Sequence, residues 1–292
     1  MSKYYIGFLK KVLRVKQSTN SCVVYAETGC FPLSLYIQRA LVKYWLKVIN
    51  SDDNMLINIT YSHLLQNSLN NATTQGTWMH RIRTLFDEHG LSYVWRNQQE
   101  ITDEKLFLDI FETRSKDAYR QQCFNNINNS TRCRLYKGVK TMFQIEPYLQ
   151  YNINCDMRAA LSKIRLSSHK FMVERGRWSK PKIDYIDRKY VLCMKNDIQD
   201  EYHILMICPY LKKLRHKYIN HHYYMGPSMF KFQELLNTVN TLERFKLMLF
   251  TKYILKQYDS TINYLSNLFL YIYLMFLFYF LQSIFLVSTG IV

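Results

Sequence analysis

The chain is organised around the stretch RKYVLCMKNDIQDEYHILMICPYLKKLR, residues 188–215. This stretch holds three soft metal ligands, Cys193, His203 and Cys208, in the pattern Cys-x9-His-x4-Cys. A structural zinc site normally takes four Cys or His ligands, two of them in a Cys-x2-Cys pair. Counting back from Cys193, the position of the missing partner is occupied by Tyr190. The spacing therefore predicts a zinc site that is one ligand short.

Two interpretations of these three residues follow from the sequence. In the first, they bind zinc, and His169, His216 or Tyr190 completes the coordination. In the second, the two cysteines are buried thiols and the histidine is a hydrogen-bonded core side chain. An acid that could work with a catalytic metal is not expected, because the helical spacing would direct the neighbouring Glu201 away from the histidine.

The composition predicts a helical protein. The 292 residues are 48% hydrophobic, which suffices for a sizeable core, and they include only 8 Gly and 5 Pro. So few turn-forming residues do not suit an architecture of many short strands. We therefore expect a mainly α fold, an irregular helical assembly with a small Cys/His module and a long apolar C-terminal helix. The expected segments are a helical domain over 1–154, a basic segment with the module over 155–225, a helical connector over 226–260 and the apolar helix over 261–292.

The net charge indicates an anionic partner. There are 39 Lys and Arg against 22 Asp and Glu, a formal charge of +17. Such a balance suits either nucleic acid, RNA or DNA, or an anionic membrane surface, although many of the cations would equally form solvated helix faces. The cations that flank the Cys/His stretch are the candidates for nucleic-acid binding. They are Lys170, Arg175, Arg177, Lys180, Lys182, Arg188, Lys189, Lys212, Lys213 and Arg215.

The C-terminal part of the chain is strongly apolar. Residues 268–281 carry no charge, and the apolar character resumes after Gln282 and Ser283 and continues to Val287. About 20 residues of helix cross a bilayer, so 268–287 is long enough to span one, with the preceding bulk of the chain in the cytosol. The alternative is a buried terminal helix. The seven cysteines, odd in number and widely spaced, favour a reducing compartment. The expected location is therefore intracellular, either in the nucleus or cytoplasm or anchored to a membrane.

Several short motifs resemble the C-terminal region of non-LTR retrotransposon reverse transcriptases. The matching residues are Gly176-Arg-Trp178, Arg188, Cys193, Ile198–Leu205, Cys208-Pro-Tyr210 and Leu214-Arg215, with weaker similarity at Val24-Tyr25, Glu27, Gly29 and Leu91–Gln98. In that family a zinc-knuckle-like motif follows the polymerase and thumb. The resemblance implies a similar module here. The resemblance itself covers most of the chain, from about Tyr5 to Tyr218, and leaves the apolar tail outside.

The chain departs from that family in ways that bear on function. Tyr190 replaces the first family cysteine, and Gln199 stands where the family prefers Glu. The chain also has no Tyr-x-Asp-Asp polymerase motif, and polymerase chemistry needs carboxylates that hold two metal ions. We therefore expect no catalysis and no small-molecule substrate. The expected function is that of a non-catalytic, retroelement-derived fragment that binds nucleic acid. The alternatives are a tail-anchored membrane protein and a decayed reading frame with no selected function.

Overall fold

Helices make up most of the protein in the computed structural model, which describes residues 2–70, 77–98, 101–189, 193 and 195–288. The α-helices are α1 (Ser2–Val12), α2 (Ser21–Thr28), α3 (Leu33–Ile49), α4 (Leu56–Asn70), α5 (Trp78–Glu88), α6 (Ser92–Arg96), α7 (Glu104–Asn129), α8 (Tyr136–Val139), α9 (Pro147–Gln150), α10 (Cys155–Arg165), α11 (Met172–Trp178), α12 (Lys212–Tyr218), α13 (His221–Tyr224), α14 (Met229–Leu236) and α15 (Thr241–Ser288). Extended pairing within these residues is limited to two isolated antiparallel bridges, Thr28 with Ile145 and Lys189 with Ile198. The predicted mainly α fold is confirmed.

The chain divides into two units. The first comprises Met1–Val12 and Lys16–Gln150, and the second comprises Leu13–Val15 and Tyr151–Val292. The four segments expected from the sequence stay a prediction.

Aromatic packing holds the first unit together. Trp45 on α3 is fully buried and meets Phe86 of α5 edge to face, with ring centroids 5.0 Å apart. Its indole nitrogen donates to the Tyr61 hydroxyl of α4 at 3.0 Å, so the one polar atom of this ring is satisfied inside the core. Phe111 of α7 closes the cluster against Phe86, with centroids 6.3 Å apart.

Gly29 ends α2 for a steric reason. Its φ is +66°, and a Cβ placed on it would lie 2.4 Å from the backbone nitrogen of Ile145. Only glycine accommodates both the left-handed conformation and this close approach.

The second unit is built along α15. Helices α10 and α12 pack against it, and buried side chains of α15 such as Leu247, Met248 and Phe250 contribute to the core. A buried arginine on α10, Arg165, donates to the carbonyl oxygen of Leu236 at the end of α14, at 2.8 Å.

The apolar C-terminal segment lies at the end of α15. Within the described part of the chain, no helix combines the length and apolarity that crossing a bilayer requires. The membrane-spanning helix predicted over 268–287 has no support from these residues, and most of its side chains lie outside the described ones.

Candidate metal centre

The three predicted ligands come together in the second unit. The ligand atoms of Cys193, His203 and Cys208 all lie within 4.8 Å of one another. All three side chains are buried, with exposed fractions of 6%, 3% and 0%. Residues fifteen positions apart in sequence thus converge on one point, and this group could hold a metal ion.

The separation of these atoms fits a zinc ion after a small closure. Zinc–sulfur bonds of about 2.3 Å and zinc–nitrogen bonds of about 2.1 Å place tetrahedral ligands roughly 3.5 to 3.8 Å apart. Separations of up to 4.8 Å are within side-chain adjustment of that geometry. Two thiols and an imidazole are also the donor types that zinc prefers.

A π-helix sets the spacing of the last two ligands. His203 is the first residue of this π-helix, His203–Ile207. Its carbonyl oxygen accepts a 2.7 Å hydrogen bond from the backbone N–H of Cys208. This bond spans five residues rather than four, and it ties the two ligands together through the backbone. A short 3-10 helix, Pro209–Leu211, then turns the chain into α12.

Cys193 lies in a loop between the residues of an isolated bridge, Lys189 and Ile198. After it the chain turns at Asn196, whose φ is +55° and whose backbone N–H donates to the carbonyl oxygen of Cys193 at 3.3 Å. The bridge therefore returns the loop toward the π-helix and brings the first ligand to the other two.

Asp197 is a neighbour of the site that the sequence reasoning missed. Its Oδ2 lies 3.5 Å from Nδ1 of His203. A carboxylate on one ring nitrogen of a histidine orients the ring so that the other nitrogen can bind metal. In the sequence, Asp197 could have been identified as a neighbour of the site because it lies six residues before His203 and four after Cys193.

The electrostatics of the three side chains suit a cation. Burial lowers the pKa of His203 below its usual value, so the imidazole is neutral, as a metal ligand must be. Burial, together with the neighbouring Cys193, raises the pKa of Cys208 to about 11. Two thiolates this close repel each other, and a bound cation would reverse that penalty.

Arg215 holds the π-helix from α12. It is 4% exposed, and its Nε donates to the carbonyl oxygen of Leu205 at 2.8 Å. Its Nη2 donates to the carbonyl oxygens of Ile204 at 3.3 Å and Cys208 at 2.9 Å. One guanidinium thus satisfies three carbonyls around the ligands.

Arg188, which precedes the loop that holds Cys193, also donates to backbone carbonyl oxygens. It is 4% exposed and donates through Nη1 to the carbonyl oxygen of Val173 at 2.9 Å and through Nε to that of Ile183 at 3.0 Å. A Cβ on Gly176 would lie 2.8 Å from its Cγ, which explains the glycine in the Gly176-Arg-Trp178 motif. Both Arg188 and Arg215 are thus buried and donate to backbone carbonyls. Their assignment to nucleic-acid binding stays a prediction.

The remaining predicted nucleic-acid-binding residues are more exposed to solvent than Arg188 and Arg215. Lys170 and Arg177 are engaged with acids, with Nζ of Lys170 3.0 Å from Asp259 and Nε of Arg177 3.0 Å from Glu174. Lys189 is half-buried. The exposed members of the predicted set are Lys170, Arg175, Lys180, Lys182, Lys212 and Lys213.

Two of the proposed fourth ligands are used elsewhere. Nε2 of His169 lies 2.8 Å from a carboxylate oxygen of Glu201, and its Nδ1 accepts from the backbone N–H of Phe171 at 3.2 Å. Its ring therefore has no nitrogen left for a metal. His216 is exposed and stacks on Tyr224, with centroids 4.8 Å apart, while Tyr190 lies outside the described residues.

Glu201 is occupied in the same way. Besides His169, it accepts a 2.8 Å hydrogen bond from the hydroxyl of Ser167. Despite burial, the pKa of its carboxyl is lowered, because the histidine and the hydroxyl favour the charged form. This acid links the loop after α10 to the start of the π-helix.

Comparisons of the chain with protein-family models, with curated proteins and with solved structures find no match. The retrotransposon resemblance therefore stays a prediction.

Proposed function

We propose that residues 155–225 form a zinc-bound module of retroelement origin that binds nucleic acid through charge and without catalysis. The observation that carries this proposal is the convergence of Cys193, His203 and Cys208 at one buried point. A zinc ion held there would join the loop at Cys193 to the π-helix and so fix the segment between them.

The cations of the same unit support the nucleic-acid part of the proposal. Arg175, Lys180 and Lys182 are exposed on and after α11, and Lys212 and Lys213 are exposed at the start of α12. Exposed lysines and arginines bind phosphates by displacing counterions, with little dependence on base sequence. The two structural arginines, 188 and 215, would serve this surface only by holding its framework together.

A binding role is favoured over a catalytic one by the acid nearest the ligands in sequence. Glu201 is hydrogen bonded to Ser167 and His169. A three-ligand catalytic zinc site needs an acid or base beside the metal-bound water. The Glu201 carboxylate is already committed to Ser167 and His169, and the Asp197 carboxylate faces Nδ1 of the ligand His203.

The zinc part is tested by elemental analysis of purified protein. We expect about one zinc ion per chain in the wild type and almost none in His203→Ala. His216→Ala is the matched control, because this histidine is exposed and stacked on a tyrosine; it should retain zinc. Equal zinc in the wild type and His203→Ala would remove the proposal.

A second measurement covers the case in which His203→Ala does not fold. Titration of metal-free wild-type protein with cobalt(II) should produce sulfur-to-metal charge-transfer absorption, and Cys193→Ser should weaken it. Absence of that absorption in the wild type contradicts thiolate coordination.

The nucleic-acid part is tested by titrating labelled single-stranded RNA and duplex DNA at two salt concentrations. Replacing Lys212 and Lys213 together by Gln should lower the slope of log affinity against log salt by about 0.7 to 0.9 for each phosphate that the protein no longer neutralises. The matched control replaces two exposed lysines of the first unit, Lys43 and Lys47, by Gln. Equal reductions of the slope in the two double variants, or no binding at low salt, would contradict the assigned surface.

A further inference from the structure

Two cysteines of the first unit are in contact with each other. Both precede the metal ligands in the sequence by at least 70 residues. Cys22 lies in the first turn of α2 and is half-buried, while Cys123 on α7 is 1% exposed. The Cys123 sulfur lies 3.3 Å from the carbonyl oxygen of Cys22, and its thiol also hydrogen bonds to the Cys22 sulfur. The pair joins residues separated by 101 positions in the chain.

The surroundings of the two sulfurs differ. The Cys22 sulfur accepts from Nδ2 of Asn126 at 3.8 Å, and it sits at the positive end of an eight-residue helix. The hydrogen bond from Cys123, with the one from Asn126, lowers the pKa of Cys22 to about 6 against burial. The same thiol–thiol bond and burial raise the pKa of Cys123 well above its usual value.

Such an arrangement gives the two cysteines different roles. Cys22 is suited to act as a nucleophile, and Cys123 as the resolving thiol. At neutral pH the half-buried Cys22 is a thiolate that a small molecule can reach, and the buried Cys123 keeps its proton. Oxidation-sensitive cysteines combine low pKa, accessibility and a second thiol in this way. Among the described residues, Tyr119 and Cys133 are further titratable groups that face the pair.

We propose that Cys22 is an oxidation site of this protein and that Cys123 resolves its oxidised form into a Cys22–Cys123 disulfide. The oxidant is hydrogen peroxide. The Cys22 thiolate attacks one peroxide oxygen, the O–O bond breaks, hydroxide leaves and a sulfenic acid forms, so that sulfur loses two electrons and peroxide gains them. Cys123 then attacks the Cys22 sulfur, the S–O bond breaks, and water leaves with the Cys123 proton.

The product would tie the first turn of α2 to α7. A covalent bond across so long a loop restricts the unfolded chain and stabilises the folded unit. The oxidised first unit should therefore resist urea better than the reduced one.

The experiment treats the folded 292-residue chain with one equivalent of hydrogen peroxide, blocks the remaining thiols with N-ethylmaleimide and maps the peptides by mass spectrometry. We expect a Cys22–Cys123 linked peptide in the wild type. In Cys123→Ser, which keeps a hydrogen-bond donor, Cys22 should remain a sulfenic acid that dimedone traps. In Cys22→Ser, Cys123 should be found neither oxidised nor cross-linked.

Cys155 is the internal control. It is exposed in the first turn of α10 behind an asparagine cap, as Cys22 is behind Asn20, but its sulfur meets Arg158 at 3.3 Å instead of a second thiol. It should yield no intramolecular disulfide. A wild-type map without the Cys22–Cys123 link, or a link that forms equally between Cys155 and another cysteine, overturns the proposal.

A pH profile separates this role from a purely structural one. Labelling of Cys22 by iodoacetamide should be half-maximal near pH 6 in the wild type. In Cys123→Ala, which removes the thiol donor, the midpoint should move to higher pH. An unchanged midpoint in this variant would show that Cys123 does not activate Cys22.

Discussion

Replacing Arg215 by Met probes how the Cys/His module is held together. The methionine keeps much of the volume of the arginine side chain but has no donor. The carbonyl oxygens of Ile204, Leu205 and Cys208, which now accept from the guanidinium at 3.3, 2.8 and 2.9 Å, would lose that donor. One of them belongs to a proposed metal ligand, so the change should reach the metal centre as well.

The magnitude follows from these three bonds. Hydrogen bonds from a charged donor contribute about 1.5 to 3 kcal/mol each, and a buried acceptor left unsatisfied costs about 1 to 3 kcal/mol. Burying a guanidinium itself costs several kcal/mol, and the methionine avoids that cost. Setting these against each other, we expect Arg215→Met to lower the free energy of unfolding of the second unit by about 3 kcal/mol.

Hydrogen exchange monitored by mass spectrometry measures this loss of stability for individual segments of the chain. In the regime where exchange reports the opening equilibrium, about 3 kcal/mol corresponds to exchange roughly 100-fold faster in peptides covering 203–211. Lys213→Met, an exposed residue of the same helix, is the control and should change exchange by no more than about 2-fold. Zinc affinity should fall by about 10- to 100-fold in Arg215→Met. Exchange rates within 2-fold of the wild type in Arg215→Met would refute the reasoning.

Two further substitutions test the first unit. Tyr61→Phe removes the acceptor of the buried Trp45 indole N–H and should cost about 1 to 2 kcal/mol in urea unfolding; an unchanged midpoint would show that the bond contributes nothing. Glu112 pairs with Lys116 at 2.6 Å and with Arg39, and its pKa is lowered chiefly by the hydrogen bond from Lys116. Since the folded pKa lies below the unfolded one, the carboxylate stabilises the fold above its ordinary pKa, and that stability is lost as pH falls through the folded value. Glu112→Gln should therefore be less stable than the wild type at pH 7, by under about 1 kcal/mol, and equally stable in strong acid, whereas a pH-independent difference would contradict the ion-pair origin.

The helices that the sequence predicts best are those whose signals are local. The stretch 33–49 reads as a helix from its apolar spacing, and α3 has the same bounds, Leu33–Ile49. Periodicity and end signals act within a few residues, so they need no knowledge of the rest of the fold.

Helix α11 is not predicted by local sequence signals. Basic and small polar residues dominate residues 167–190, a composition that by itself is typical of loops. The structure forms a seven-residue helix, Met172–Trp178. Its start is held by Gln199, whose backbone oxygen accepts from the Val173 N–H at 3.1 Å and whose side-chain oxygen accepts from the Met172 N–H at 2.8 Å. Because Gln199 lies more than twenty residues from the start of α11, the local sequence pattern of this helix does not indicate the contact.

Residue type and short spacing were enough to identify the side chains of the Cys/His stretch that can bind a soft metal, and to establish that the protein is helical. The folded chain was needed to show that Cys193 joins the other two ligands, that Glu201 pairs with His169 instead of serving the site, and that Arg188 and Arg215 are buried. The physical reason is that a ligand set, a buried ion pair and a buried guanidinium are each completed by groups distant in the chain, and spacing along the sequence does not specify which of those groups the fold brings into contact.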